Sequence, residues 1–452
     1  MNRRELLLAA LRNETVDEIP WVPFVGCHGA YLQGITAEEY FKSTEKLVKG
    51  AHLAYEKYDP HGLPAFFDLQ VEAEALGCEV EYAPENPPSV KSHPLAVNGE
   101  LDQMRLPTPD DGRFPIVLSA ISEIVQTLGD KIAIYGLITG PFTLALHLRG
   151  TNIFYDMLDD PDYVHELLAF CAEVGQHVST MYADAGVDVI AVVDPMTSQI
   201  SSADFEKFVS PYATRIFDTV RSLGKLSSFF VCGNAKNNIE AMCQCRPDNV
   251  SIDENIPLDY VKEICNRYGI SFGGNIKLTL SILFGTVTDC IRDAMNCMHI
   301  GGNQGFVLAP GCDLPFDSPE ENIKAIAAVV HGDVTEASVD VDVLEGVEVD
   351  LPDYANEQQV IVDVITLDSA SCAPCQYMVE AVTRNVEQFS DRVIVREHKI
   401  KDKESVVLMK MLGVSNIPTT VIDGAVRFVS LIPDEQSLRR ELEVAISRKT
   451  NR

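Results

Sequence analysis

Short runs of β-branched and apolar residues alternate with longer segments of helical period through most of this chain, and that alternation restricts the fold more than any other feature. The candidate strands are Trp21–Val25, Ala65–Leu69, Ile132–Leu137, Val187–Val193, Ser227–Val231, Asn249–Ile252, Ser271–Gly273 and Gly305–Leu308. Helical patterns such as Pro161–Ala185, Ser202–Leu223, Leu258–Tyr268 and Thr286–His299 lie between most of them. Strands that alternate with helices imply a parallel sheet. Eight of them fit a closed (β/α)₈ TIM barrel better than an open sheet. A dinucleotide-binding sheet is disfavoured because no GxGxxG follows the first strand.

The pattern stops near His331. Between His331 and Val360 the chain carries Asp333, Glu336, Asp340, Asp342, Glu345, Glu348, Asp350, Asp353 and Glu357 with no Lys or Arg. Such a stretch reads as a self-repelling linker, although Val339–Val343 and Val347–Leu351 alternate well enough to pair as a hairpin. It separates a barrel over residues 1–331 from a second α/β domain over residues 359–452, with 332–358 as the linker.

A barrel gathers its chemistry just after the strands, at the C-terminal face. The residues at those positions are Cys27-His28, Asp68, Gly140-Pro141, Asp194-Pro195, Cys232-Gly-Asn234, Asp253-Glu254, Gly274-Asn275 and Gly311-Cys312. Cys232 and Cys312 are the central pair, because two thiolates converging on the barrel mouth suit Zn²⁺. A catalytic zinc needs a third protein donor, and His28, His147, Asp253 and Glu254 are the candidates. His28, His147, Asp194, Asn234 and Asn275 are the polar groups placed to hold a cofactor. Two cysteines separated by 80 positions would carry no meaning outside a barrel. Cys243-Gln-Cys245 is a further close pair, read as two exposed or half-buried thiols on a loop.

Twelve cysteines in a long chain without a secretory leader pattern suggest reduced thiols, metal ligands or redox chemistry rather than a disulfide scaffold. No apolar run reaches the length of a membrane span, and the cytosol is the expected compartment. A net charge of −31 argues against nucleic acid as a partner.

The second domain carries Cys372-Ala-Pro-Cys375 after the strand Val360–Leu367 and before a helix expected over Gln376–Phe389. A CxxC between a strand and a helix reads as a thioredoxin-type redox site. The helix N-terminus lowers the pKa of Cys372, which makes it the attacking thiol, with Cys375 resolving. Pro418 after Ile417 fits the cis-proline that faces such a dithiol. The domain resembles thioredoxin and glutaredoxin domains, with Ser371 where Trp is usual and Ala373 in place of Gly.

Residues 1–330 also resemble a known family. Leu6–Arg12 with Asn13-Glu-Thr-Val-Asp-Glu-Ile-Pro20 is similar to the opening of uroporphyrinogen decarboxylases and their corrinoid-dependent methyltransferase relatives. Val71-Glu-Ala-Glu-Ala-Leu-Gly-Cys-Glu-Val80-Glu81 resembles the methylcobalamin:coenzyme M methyltransferase branch. Gly140-Pro-Phe-Thr-Leu144, Cys232-Gly-Asn234 and Leu308-Ala-Pro-Gly-Cys312 carry the same likeness. The decarboxylase set transfers badly. Gly26 and Ala30 stand where that activity expects two arginines, His147 stands where it expects tyrosine, and only the catalytic aspartate has a counterpart, Asp68. The resemblance to the methyltransferase branch implies a zinc held by a His-x-Cys and a later Cys, and here Cys232 and Cys312 match while Phe230 takes the histidine position. Glu254 or His28 is then the expected third ligand. The branch implies methyl transfer between a corrinoid, carried on a partner protein, and a thiol acceptor. Decarboxylation and a non-catalytic thiol- or corrinoid-binding adaptor are the alternatives.

Overall fold

The computed structural model describes residues 1–97, 100–334, 349–370, 372–389, 391–414 and 416–450. The chain forms two compact units, Met1–Val339 and Asp340–Arg452. Residues 335–348 of the acidic segment, with the first half of the expected hairpin and the start of the second, lie outside the described residues, and 349–351 form no strand.

In chain order, the first unit contains β1 (Gly62–Pro64), β2 (Val80–Glu81), β3 (Ser89–Val90), β4 (Ala133–Thr139), β5 (Val189–Val193), β6 (Leu226–Val231), β7 (Asn249–Ile252), β8 (Ser271–Ile276) and β9 (Phe306–Pro310). β2 and β3 make a separate antiparallel ribbon. The others form one seven-stranded sheet in the order β1-β4-β5-β6-β7-β8-β9, with every pair parallel. Every residue of β4 and β5 is buried, so these strands read as continuous apolar runs rather than alternating ones. This parallel α/β sheet is consistent with a TIM-type barrel.

Two of the expected strands differ from the reading above. Trp21–Val25 contributes only an isolated parallel bridge between Trp21 and Leu308. Pro20 and Pro23 flank it, and neither has an N–H to extend a ladder. The bridge still lies between the two edges of the sheet. The Val22 N–H donates to the Leu308 carbonyl at 3.0 Å, and the His61 N–H donates to the Trp21 carbonyl at 2.9 Å, one residue before β1. The second strand pairs earlier than expected, at Gly62–Pro64 rather than Ala65–Leu69, with only Ala65 continuing to donate, to Tyr135. Gly62 and Pro64 are residue types that ordinarily mark turns. Asp68 and Leu69 instead take side-chain partners beyond the strand end.

Helix starts follow their caps. Asp160 accepts from the Tyr163 N–H ahead of Pro161–Asp184, and Thr286 forms a reciprocal capping box with Asp289 ahead of Val287–Gly301. Inside the sheet, Phe24, Phe67, Tyr135 and Phe230 pack with Val193, Val307 and Ala309, and Cys232 and Cys312 sit against that cluster. Among the described residues, no helix is long and apolar enough to cross a membrane.

The second unit holds β10 (Val360–Thr366), β11 (Val393–Lys399), β12 (Thr419–Ile422) and β13 (Ala425–Val429). They form one sheet in the order β11-β10-β12-β13, with β10 and β11 parallel and the other pairs antiparallel. Helices Ala373–Val386, Lys403–Met411 and Glu435–Thr450 accompany the sheet, and its core joins Val362, Val364, Met378, Val382, Leu438 and Leu442. The first of these helices begins three residues earlier than expected, because Pro374 sits in its first turn, where a missing N–H costs nothing. Cys372 is therefore the N-cap and Cys375 lies within the helix. The Ile417–Pro418 peptide is cis.

Candidate active site

The thiols that open the site come from the ends of β6 and β9, strands that are not neighbours in the sheet. Their sulfurs lie 2.7 Å apart, and both residues are half-buried. Phe230, two residues before Cys232, is on the same side of its strand. Its ring lies tilted against Phe24 at 4.9 Å and meets Phe67 edge-on at 5.9 Å. The position expected to offer a histidine is thus part of an aromatic floor beneath the thiols.

Two carboxylates flank the pair. Asp253 accepts from the Gly233 N–H at 2.9 Å, beside Cys232, and from the Asn255 backbone and side-chain amides. Glu254 accepts from the Leu278 N–H, and its backbone backs against Gly311 so closely that a Cβ there would lie 2.6 Å from the Glu254 nitrogen. Glycine is required at 311 for that approach. Burial raises both carboxyls above the usual carboxylate range, and the Asp253 charge lifts Glu254 further. Among the described residues, no group of three or more His, Cys, Asp or Glu side chains is assembled as a metal site. The sulfur pair is the part of the expected donor set that converges.

His28 is fully buried, and both ring nitrogens are engaged, Nδ1 with the Phe316 carbonyl at 2.8 Å and Nε2 with the Tyr58 hydroxyl at 2.6 Å. Burial lowers its pKa to about 4. It is built into the packing between two elements, which leaves Glu254 as the remaining preferred third donor. His147 lies on the helix Pro141–Arg149, buried, with its pKa lowered to about 3 by burial and then by His93. Asp194 caps that same helix from the end of β5. It accepts from the Phe142 N–H at 3.1 Å, the Thr143 N–H at 2.8 Å and the Thr143 hydroxyl at 2.6 Å. A Cβ on Gly140 would lie 2.3 Å from the Asp194 Cβ, which accounts for the Gly-Pro start of the helix. Asn275 donates to the Asp253 and Ile256 carbonyls at 3.1 and 2.7 Å, so it fixes the Asp253-Glu254 loop. Asn234 is half-buried beyond Cys232, and its side-chain Oδ1 accepts weakly from the Lys236 N–H at 3.5 Å.

Asp68 is buried and bound. Its Oδ2 takes the Arg113 guanidinium at 2.5 Å, its Oδ1 accepts from the Gln70 N–H at 2.8 Å, and Arg113 Nε reaches Glu74 at 2.5 Å. Arg113 is nine-tenths buried or more, and the sequence reading missed it. It sits in a Pro/Gly/Asp-rich loop 45 positions from Asp68, and only the fold brings the two together. Asp313, beside Cys312, was also missed. It accepts from the Gly26 N–H at 2.7 Å, and a Cβ at Gly26 would lie 2.4 Å from its carboxylate. The glycine at the expected arginine position is thus filled by an acidic partner. Cys243 and Cys245, read as loop thiols, are instead fully buried, in and at the end of the helix Ile239–Gln244.

In the second unit, the Cys372 and Cys375 sulfurs are 2.6 Å apart, with Cys372 half-buried at the helix N-cap and Cys375 buried. The Leu367 N–H donates to the Cys375 sulfur at 3.4 Å.

A parallel α/β sheet whose strand C-termini gather thiols and buried carboxylates has the site placement of enzymes with TIM-type folds. The chain belongs to the uroporphyrinogen decarboxylase family, whose model matches residues 2–332. It is 30% identical over 336 residues to the methylcobamide:CoM methyltransferase MtaA of Methanosarcina barkeri, across 71% of this chain and 95% of that protein. It is 25% identical over 332 residues to MtbA of Methanosarcina acetivorans, across 71% and 95%. A uroporphyrinogen decarboxylase of Anaeromyxobacter dehalogenans is 25% identical over 343 residues, across 72% and 97%. A solved methyltransferase from Methanosarcina mazei superposes with a TM-score of 0.68 at 26% identity, covering 74% of this chain and 99% of that one. These methyltransferases support methyltransferase activity in this chain.

Proposed function

We propose that this chain is a cytosolic, zinc-dependent methyltransferase on a closed (β/α)₈ barrel, moving a methyl group between a corrinoid on a partner protein and a thiol or similar acceptor. One observation carries the reading: two half-buried thiols from non-adjacent strands meet at 2.7 Å. Thiols brought to one point from separate strands are the donor type that zinc prefers. Cys232 and Cys312 would hold the zinc, with Glu254 as third donor. Bound there, zinc supplies the positive charge that lowers the pKa of an acceptor thiol and so delivers a nucleophile at neutral pH.

The remaining residues prepare the site. Asp253 fixes the backbone beside Cys232 through Gly233, and Asn275 fixes Asp253 in turn. Phe24, Phe67 and Phe230 make an apolar floor that keeps water from below the thiols. Asp68 is neutralised by Arg113, and Gly26 faces Asp313, so the pocket lacks the cationic clamp and the available acid that decarboxylation of a polycarboxylate needs. The second unit acts as a thioredoxin-like redox domain in which Cys372, the more exposed thiol, attacks and Cys375 resolves.

Phe230 favours one competing reading, a metal-free adaptor that binds thiols or corrinoid without turnover. Metal content separates the two. Purified, reduced wild type should carry about one zinc per chain, and the double variant Cys232→Ser, Cys312→Ser should carry none. Zinc-free wild type prepared without oxygen would leave the adaptor.

A further inference from the structure

We propose that the Cys232–Cys312 pair, when oxidised to a disulfide, is the substrate of the Cys372/Cys375 dithiol, so that this chain repairs its own methyl-transfer site by thiol–disulfide exchange. The inference rests on the redox reading of the second unit and extends it by naming the client.

Accessibility selects the partners. Nine of the twelve cysteines are buried, namely Cys27, Cys78, Cys171, Cys243, Cys245, Cys265, Cys290, Cys297 and Cys375. The three that are not are Cys232, Cys312 and Cys372. Exchange needs an attacking thiol and a target sulfur that solvent-side groups can reach. Those three residues supply one attacker and one target pair. Proximity alone does not select them. Cys243 and Cys265 also approach, at 3.8 Å, but both are fully buried. Burial further holds Cys78, Cys290 and Cys297 up at about 12, far from the thiolate form.

The 2.7 Å spacing of Cys232 and Cys312 makes the same pair vulnerable. A two-electron oxidant of the peroxide or diamide class joins the two sulfurs and removes two electrons and two protons, which eliminates both thiolate donors together. Repair balances without further reagents. The Cys372 thiolate attacks one sulfur of that disulfide, forming a mixed disulfide and releasing the other barrel sulfur as a thiolate. Cys375 then gives up its proton and attacks the Cys372 sulfur, releasing the second barrel thiolate. One S–S bond has moved from the barrel pair to Cys372–Cys375, and two electrons and two protons have moved the other way. A small-molecule thiol re-reduces the CxxC.

The test traps the intermediate in the full chain. Cys375→Ser, or Cys375→Ala should the serine fail to fold by circular dichroism, is oxidised with diamide, quenched by alkylation and mapped by peptide mass spectrometry. Cys372 should appear cross-linked to Cys232 or Cys312 in most chains, and at least tenfold less often to any other cysteine. In wild type, the Cys232–Cys312 disulfide should disappear at least tenfold faster in dilute dithiothreitol than in Cys372→Ser. Equal rates, no cross-link, or failure of diamide to join Cys232 to Cys312 would overturn the proposal. Zinc content of the reduced protein is read separately. A zinc-loaded protein without the cross-link ends this inference alone, and a zinc-free protein that forms it ends only the zinc reading.

Discussion

The chain holds two close thiol pairs at almost the same sulfur–sulfur distance, 2.7 Å for Cys232 and Cys312 and 2.6 Å for Cys372 and Cys375, and builds them by opposite means. The second pair is local. Its members are three positions apart, and one helix start, with Pro374 in the first turn, sets both. The first pair is assembled. Its members are 80 positions apart on strands separated by β7 and β8, so their meeting depends on the register of the whole sheet. A local pair survives wherever its helix forms, whereas an assembled pair exists only while the sheet does, and damage remote from the sulfurs should disturb only the assembled one.

The most direct break removes the sulfurs. Cys232→Ser with Cys312→Ser should lower methyl transfer by about a thousandfold or more, equal to about 4 kcal/mol of transition-state stabilisation. Cys372→Ser in reducing buffer should leave turnover within about twofold, because exchange is then supplied by the buffer. Steady-state assays of the three proteins side by side check this. A large loss in Cys372→Ser under reduction would mean that the two pairs are not separable in this way.

The next break is remote. Arg113 pairs with Asp68 and Glu74 in a buried cluster. Arg113→Met leaves two carboxylates without their cation, which typically costs about 3 to 5 kcal/mol. Trp21 is the only tryptophan and is fully buried in the first unit, so its fluorescence reports that unit's urea unfolding. The midpoint should fall, while alkylation of Cys372 in the native protein stays at the wild-type rate. An unchanged midpoint would show that the cluster does not support the sheet.

What the sequence made readable follows the same division. The CxxC, its strand and its helix are consecutive, running from Val360 to Val386, and local rules suffice to find them. β5 was legible because a strand buried on both faces is a short continuous apolar run. β1 was not, since Gly62 and Pro64 carry turn signals although they pair with β4. Cys232 and Cys312 could be singled out only through the barrel hypothesis. Arg113 and Asp313 could not be found at all, because their partners Asp68 and Gly26 are brought to them by topology and no spacing rule links them. The histidine candidates failed for another reason. His28 follows a strand-end signal, yet its ring is used up by Phe316 and Tyr58, and hydrogen-bond saturation leaves no mark on a sequence.

Acid sharpens the contrast by a smaller amount. His28 is buried neutral, with its pKa lowered from 6.5 to about 4. Between those values the unfolded chain binds a proton that the folded chain does not, so stability falls as pH drops from about 6.5 toward 4. The His28 contribution to that fall should be about 2 to 3 kcal/mol by pH 4.5. The stability advantage of wild type over His28→Gln, read from Trp21 unfolding, should therefore be larger at pH 7 than at pH 4.5 by that amount. Equal differences at the two pH values would mean that His28 titrates in the folded barrel as it does in the open chain.

The smallest effect is also the most local test of assembly. The backbone beside Cys232 is held by Asp253, just after β7, through the Gly233 N–H at 2.9 Å, and Asp253 sits where it does partly because Asn275 holds its carbonyl. Asp253→Ala removes that acceptor, together with the Asn255 contacts, and should cost about 1 to 2 kcal/mol of stability. The larger informative change is in metal affinity. A group that orients a ligand without touching the metal typically contributes 10- to 100-fold, so a zinc-competition titration should show weakening of at least about tenfold while Cys232 and Cys312 remain present. Alkylation of Cys372 and Cys375 should be unaffected, since their spacing is set within one turn of their own helix. If zinc affinity is unchanged in Asp253→Ala, then the sheet alone brings the sulfurs together, and the loop after β7 has no part in holding them.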